Sequence, residues 1–214
     1  MTVVFNQMEE IMTAAPVIPV ITIEHVADAI PLAQALVRGG LHVLEITLRT
    51  DAAMTAIGEV AANVPEAIVG AGTVLTPWAL EEVAAAGGKF CVAPGSTPAL
   101  LKAAEDYDMK LLPGAATPTE VMQLLDQDLT YLKFFPAEVA GGIPYLKSLA
   151  APIPQARFCP TGGVKLANAT AYLALPNVLC VGGTWVCPND VIAAKDWDRI
   201  EALAREAAKL PVPE

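Results

Sequence analysis

Short runs of apolar, β-prone residues recur along the chain at Val17–Ile23, His42–Thr47, Ala67–Gly72, Phe90–Ala93, Lys110–Leu112, Tyr131–Phe135, Arg157–Pro160 and Val178–Gly182, beginning about every 23 residues. Few of their positions are polar, the pattern of strands covered on both faces. Between them lie Ala- and Leu-rich stretches with helical spacing, such as VADAIPLAQALVRGG and PWALEEVAAAGG. Gly39-Gly40 and Gly87-Gly88 are placed to cap two of these helices at their C-termini. Ahead of the first strand, Asn6–Ala15 reads as an extra helix.

Eight strand–helix units of this length predict an α/β protein, a single (β/α)8 TIM barrel with an extra N-terminal helix. The helix falls within residues 1–16 and the barrel over 17–205, in one domain spanning 1–214, since no Pro/Ser-rich linker or charge block divides the chain. The alternative is an open doubly wound sheet. The even spacing favours closure, and the GxGxxG fingerprint of a dinucleotide site is absent.

Composition narrows the setting. Of 214 residues 54% are hydrophobic and only 17% charged, an excess that suggests a subunit interface besides the core. The net charge of −10 would repel a phosphate backbone, so nucleic acid is not an expected partner. No apolar run reaches the ~18–20 residues that span a bilayer, and MTVVFNQMEEIM lacks the basic start of a signal peptide. The four cysteines, Cys91, Cys159, Cys180 and Cys187, form no CxxC pair and read as buried free thiols of a cytoplasmic protein. His25 and His42 have no companions that would make a metal site, so no metal and no cofactor are expected.

Barrel enzymes place their chemistry where strands end, and the strand ends here carry unusual residues. Lys133 stands between Leu132 and Phe134-Phe135. Desolvation disfavours an ammonium, and a neutral amine in an apolar pocket is the form that attacks a ketone to make a Schiff base. Such a lysine can also snorkel to solvent or end in a structural ion pair. Glu45, between Leu44 and Ile46, is its natural counterpart. Strand alternation puts Val43, Glu45 and Thr47 on one face, and a carboxylate beside the amine can relay protons. Glu138 is a second candidate base, although its place after Pro136 suits a loop or cap role better. Arg49 offers a planar fork for a carboxylate, and Thr73, after the GAG at 70–72, offers a further donor. The glycine turns TGG at 161–163 and GGT at 182–184 fall after the last two strands, where barrels bind phosphate.

Together LEITLRT, VGAGTVL, the PG turn at 94–95, LLPG, KFFPAE, RFCPTGGV and LCVGGTW resemble the bacterial 2-dehydro-3-deoxy-6-phosphogluconate (KDPG) aldolase and 4-hydroxy-2-oxoglutarate aldolase family, over about Val17 to Arg205. The resemblance implies a cytoplasmic lyase of the Entner–Doudoroff pathway, a metal-independent class I aldolase that assembles as a homotrimer of barrels. It implies that Lys133 is the Schiff-base lysine and Glu45 the acid/base. Arg49 and Thr73 then hold the substrate carboxylate, Gly162, Gly163, Gly183 and Thr184 the phosphate, and Pro94, Phe135 and Thr161 line the pocket. One departure is PGAAT at 113–117, where a bulkier residue would be expected after the glycine. The implied reaction cleaves KDPG to pyruvate and glyceraldehyde 3-phosphate, with 4-hydroxy-2-oxoglutarate as a second substrate. Two rivals are a metal-dependent aldolase and a non-catalytic sugar-phosphate binder that would need the glycine turns but neither Glu45 nor Lys133.

Overall fold

The structure, a computed structural model, describes residues 6–211. The signal-peptide reading of the first twelve residues and the ends of the predicted domain lie partly outside them. The chain opens with α1 (Asn6–Thr13) and then alternates: β1 (Val17–Ile21), a 3₁₀ turn at Val26–Asp28, α2 (Ala29–Arg38), β2 (Val43–Thr47), α3 (Ala53–Asn63), β3 (Ile68–Gly72), α4 (Pro77–Ala85), β4 (Phe90–Val92) and α5 (Pro98–Asp106). It continues with β5 (Lys110–Leu112), β6 (Gly114–Ala115), α6 (Pro118–Leu125), β7 (Tyr131–Phe134), α7 (Gly142–Leu149), β8 (Arg157–Pro160), α8 (Leu166–Leu173), β9 (Val181–Gly183), α9 (Asn189–Ala193) and α10 (Trp197–Ala207).

All strand pairs are parallel. One curled sheet runs β5-β4-β3-β2-β1-β9 and a second β6-β7-β8. The fifth predicted strand, Lys110–Leu112, forms as β5; beyond Pro113, which has no N–H to give a ladder, the chain adds a further short strand, β6. The Pro113 carbonyl still accepts from the Lys133 N–H at 2.9 Å. The last predicted strand shifts forward: Val178 makes only an isolated bridge to Phe158, and the regular pairing starts at Val181. A second bridge joins Thr161 to Gly182.

Helix ends follow local chemistry. Three helices open on Thr-Pro, where Thr76, Thr97 and Thr117 accept from the N–H three residues on and proline occupies the first turn. Glu120 closes a capping box on Thr117, and its carboxyl is held below the usual range by the Ala116 N–H and by Thr117. Gly40 (φ 94°) and Gly87 (φ 90°) take the left-handed turns that follow α2 and α4, as their sequence position predicts.

The apolar residues divide by strand face. Val17, Leu44, Val69, Cys91, Leu111, Leu132 and Phe158 point outward into the large core beneath the helices. Ile18, Val43, Phe90, Val92, Leu112, Cys159 and Cys180 point the other way into a second cluster, completed by Met8, Ile11 and Met12 of α1. The extra helix therefore plugs the inner core at the end where the strands begin. That leaves the opposite end, where strands meet their βα-loops, for polar side chains. At the far seam α10 lies on α2, tied by Arg38 Nε to Glu201 Oε2 at 2.7 Å.

Candidate active site

Glu45 and Lys133 both point inward. Glu45 is 2% exposed and Lys133 3%, and Lys133 Nζ lies 3.3 Å from Glu45 Oε1. Each is the other's charge partner in a space that offers little water, so neither is buried uncompensated. The backbone of Lys133 is fixed by register, opposite Gly114 on one side and Cys159 on the other. Its ammonium nitrogen also sits 5.3 Å from the centroid of the Phe135 ring.

Room for this pair comes from β3. Gly70 and Gly72 belong to the strand and not to a flexible turn, and both face inward. A Cβ on Gly70 would run into the Phe90 ring, and one on Gly72 would come within 2.8 Å of Glu45 Cγ and Cδ. The strand presents no side chain because its neighbours fill the space. Gly182 does the same for Thr161, whose side chain occupies the place of the missing Cβ. These glycines were not among the residues that the sequence points to as functional, apart from the turn reading of 70–72 and 182–184. Their signal in β3 is glycine at two successive positions, 70 and 72, of one strand face.

Arg49 follows β2 and Thr73 follows β3, and Arg49 Nε donates to Thr73 Oγ1 at 3.2 Å. Thr73 has φ 61°, an outlying conformation for a β-branched residue. Thr47 is occupied otherwise, donating to the Ile21 carbonyl at 2.8 Å. On the opposite wall, Ser96 Oγ donates to the Gly114 carbonyl at 2.9 Å, locking the PG turn at 94–95 onto that at 113–114. A Cβ at Gly114 would strike the Pro94 carbonyl group, so Pro94 is seated by a glycine as well.

The turn Thr161–Gly163 carries two left-handed glycines, Gly162 (φ 98°) and Gly163 (φ 83°). Its carbonyl groups are taken: Thr161 O accepts from the Ala137 N–H at 2.8 Å, Gly162 O from the Glu138 N–H at 3.0 Å and Gly163 O from Asn168 Nδ2 at 3.4 Å. Among the described residues, the N–H groups of Gly162 and Gly163 meet no protein acceptor. Donors turned outward from a glycine turn form an anion cradle. Phe135 packs on this turn, 3.2 Å from where a Gly162 Cβ would be. Gly183 ends β9, and Thr184 follows it, exposed. Gly182, the residue before this pair, is bridged to Thr161 of the turn.

Among the described residues no group of three or more His, Cys, Asp or Glu side chains is placed to hold a metal ion, and no helix is long and apolar enough to cross a membrane. The geometry pairs an amine with a carboxylate inside the sheet, rests an exposed guanidinium on Thr73 after β3, and leaves spare backbone donors at the turn after β8. The family model described as KDPG and KHG aldolase matches residues 8–203.

The chain belongs to this family.

It is 52% identical over 201 residues to the KHG/KDPG aldolase of Escherichia coli K12, covering 94% of each chain. A KDPG aldolase from Legionella pneumophila, solved with pyruvate captured as a covalent carbinolamine intermediate, is 45% identical, with a TM-score of 0.92 over 94% of this chain and 98% of its own. The 2-keto-3-deoxy-6-phosphogluconate aldolase of Zymomonas mobilis ZM4, solved with 3-phosphoglycerate, is 49% identical, with a TM-score of 0.91 over 95% and 96% of the two chains. Of the (β/α)8 barrel read from the sequence, the α/β class and the curled parallel sheet are shared with these structures.

Proposed function

We propose that the protein is a metal-independent class I aldolase that cleaves KDPG to pyruvate and glyceraldehyde 3-phosphate. The observation that carries this reading is the buried contact of Lys133 Nζ with Glu45 Oε1 at 3.3 Å. Amine and proton relay are already in place where a ketone would arrive. The carbinolamine captured in the Legionella pneumophila relative supports the same chemistry.

Lys133 Nζ adds to the C2 carbonyl carbon, and the carbonyl oxygen becomes the hydroxyl of a carbinolamine. Glu45 protonates that hydroxyl as it leaves as water, giving the iminium. Glu45 then takes the proton of the C4 hydroxyl, the C3–C4 bond breaks, and its electron pair passes to the iminium nitrogen as an enamine. Glyceraldehyde 3-phosphate departs. Protonation at C3 and addition of water at C2 release pyruvate and restore the amine. In this reading Arg49 and Thr73 hold the carboxylate, and Gly162, Gly163, Gly183 and Thr184 the phosphate. Pro94, Phe135 and Thr161 wall the space between. The same site takes 4-hydroxy-2-oxoglutarate, which yields pyruvate and glyoxylate, without using the phosphate cradle.

The two sheets are read as one closed (β/α)8 barrel with α1 as its plug and a single domain over 1–214. Supporting closure, Pro113 alone separates β5 from β6, and the two bridges join Phe158 of β8 to Val178 and Thr161 to Gly182 of β9. The protein acts as a cytoplasmic homotrimer. Leu75 and Trp78, 61% and 67% exposed beside the β3 rim, are apolar surface that an interface would cover.

Borohydride reduction with pyruvate should leave a stable adduct whose peptide maps to Lys133. An adduct on another lysine, or none, rejects the mechanism. Lys133→Ala should abolish pyruvate release, and Glu45→Gln should slow it by about 10²–10⁴-fold. A wild-type protein that turns over nothing while binding the sugar phosphate would instead be a binding protein.

A further inference from the structure

Glu138 is left over by the mechanism. It follows β7 by four residues, and its carboxylate is engaged elsewhere: Oε1 accepts from the hydroxyl of Tyr172, on α8. Tyr172 has a fully buried ring, while Glu138 is exposed. Burial, and then the carboxylate itself, push the Tyr172 hydroxyl well above its ordinary range, so it remains a donor across neutral and mildly alkaline pH. Oε1 also lies 3.3 Å from where a Cβ on Gly142 would be, at the start of α7.

The stem of Glu138 has a different neighbour. A Cβ on Gly163 would lie 2.5 Å from Glu138 Cγ and 2.7 Å from its Cβ, so the stem fills the one space a side chain at 163 would need. The Glu138 N–H holds the Gly162 carbonyl at 3.0 Å. One residue thus grips the turn twice, by backbone at Gly162 and by packing at Gly163. Its far end is pinned by the hydroxyl of the buried Tyr172 on α8. With its carbonyl groups engaged, the turn keeps the Gly162 and Gly163 N–H groups as its unengaged backbone donors.

We propose that Glu138 and Tyr172 form a clamp that sets the Gly162–Gly163 turn for phosphate, making Glu138 a positioning residue that governs preference for phosphorylated over unphosphorylated 2-keto-4-hydroxy acids. This rests on the reading that the turn holds the substrate phosphate. Releasing the clamp frees the turn to rotate its N–H groups off the anion, while Lys133, Glu45 and the carboxylate donors are left in place. A merely structural clamp would weaken both substrates alike.

The test compares wild type with Glu138→Ala and Tyr172→Phe, the second keeping the buried ring and removing only the donor. For KDPG, KM should rise on the order of tenfold in both variants, the loss of about one well-placed hydrogen bond. For 4-hydroxy-2-oxoglutarate, kcat/KM should stay at its wild-type value. Inorganic phosphate, titrated calorimetrically, should lose affinity by the same factor, a readout that needs no turnover. Glu138→Gln, which still accepts from Tyr172, should restore most of the phosphate affinity. Equal losses on both substrates, or unchanged phosphate affinity in both variants, would overturn the clamp. Absence of a pyruvate adduct in the wild type would instead overturn the aldolase reading, with the phosphate titration still deciding the clamp.

Discussion

An alanine at position 72 would set its methyl group within 2.8 Å of Glu45 Cγ and Cδ. The β3 backbone has little freedom to yield, because it is paired with β2 on one side and β4 on the other. Gly72→Ala should therefore displace the carboxylate and reduce kcat by about 10²–10⁴-fold, as loss of the acid/base would. The pyruvate adduct on Lys133 should still form slowly. A kcat within twofold of wild type would show that Glu45 tolerates the shift. Thr73 invites the opposite trade. Its left-handed backbone stores about 1–3 kcal/mol, against about 0.5–1 kcal/mol of extra backbone entropy that glycine loses on folding. Thr73→Gly should raise stability by about 1 kcal/mol in urea titrations and raise KM, since Arg49 loses the oxygen it rests on. At this scale the sequence speaks through misfits. Glu45 and Lys133 are legible because charge inside an apolar strand needs a reason. Gly72 and Gly182 are not, because what they contribute is empty space, and its use appears only when the side chain of the next strand is placed.

Elements are legible where periodicity and punctuation agree. The ends of β5 and β8 fall where the apolar runs place them, β1 to β4 and β7 differ by one or two residues at an end, and β9 starts three residues late. Thr-Pro at 76–77, 97–98 and 117–118 marks three helix starts that hydrophobic spacing leaves open. Two features escape a reading of runs. Past Pro113 the chain pairs again as β6, where the apolar runs predict no strand, and Val178–Cys180 is apolar enough for a strand yet forms only one bridge. Both depend on which backbone groups a neighbour demands. The extra helix is legible as a helix but not as a plug, since its amphipathic face does not name its partner. Met12, wholly buried between α1 and the inner cluster, measures that packing. Met12→Ala should cost about 2–5 kcal/mol of stability through the void it leaves. The Glu45–Lys133 pair is built at the other end, so kcat at 25 °C should not change. A variant as stable as wild type would mean that α1 closes over the gap.

For the molecule as a whole, burial makes the thiols a probe of the fold. Cys91 and Cys187 lie in the core, and burial pushes their thiols up to about 12 from an ordinary 9.0. Cys180 is raised in the same direction, first by its hydrogen bond with Cys159 and then by burial. The linkage has a definite sign. Below pH 9 these thiols are protonated whether the chain is folded or not, and they leave stability unchanged. Between pH 9 and 12 the unfolded chain releases their protons while the folded one keeps them, so the unfolded state gains. Stability should fall through that window, by up to about 1.4 kcal/mol per pH unit for each thiol. Urea midpoints under reducing conditions should match at pH 7 and 8 and drop by pH 10. Cys91→Ala should flatten the decline by one thiol's share, and a decline unchanged in that variant would assign it to other groups. A chromogenic disulfide reagent should likewise find four thiols in urea and react with them only slowly in the native protein.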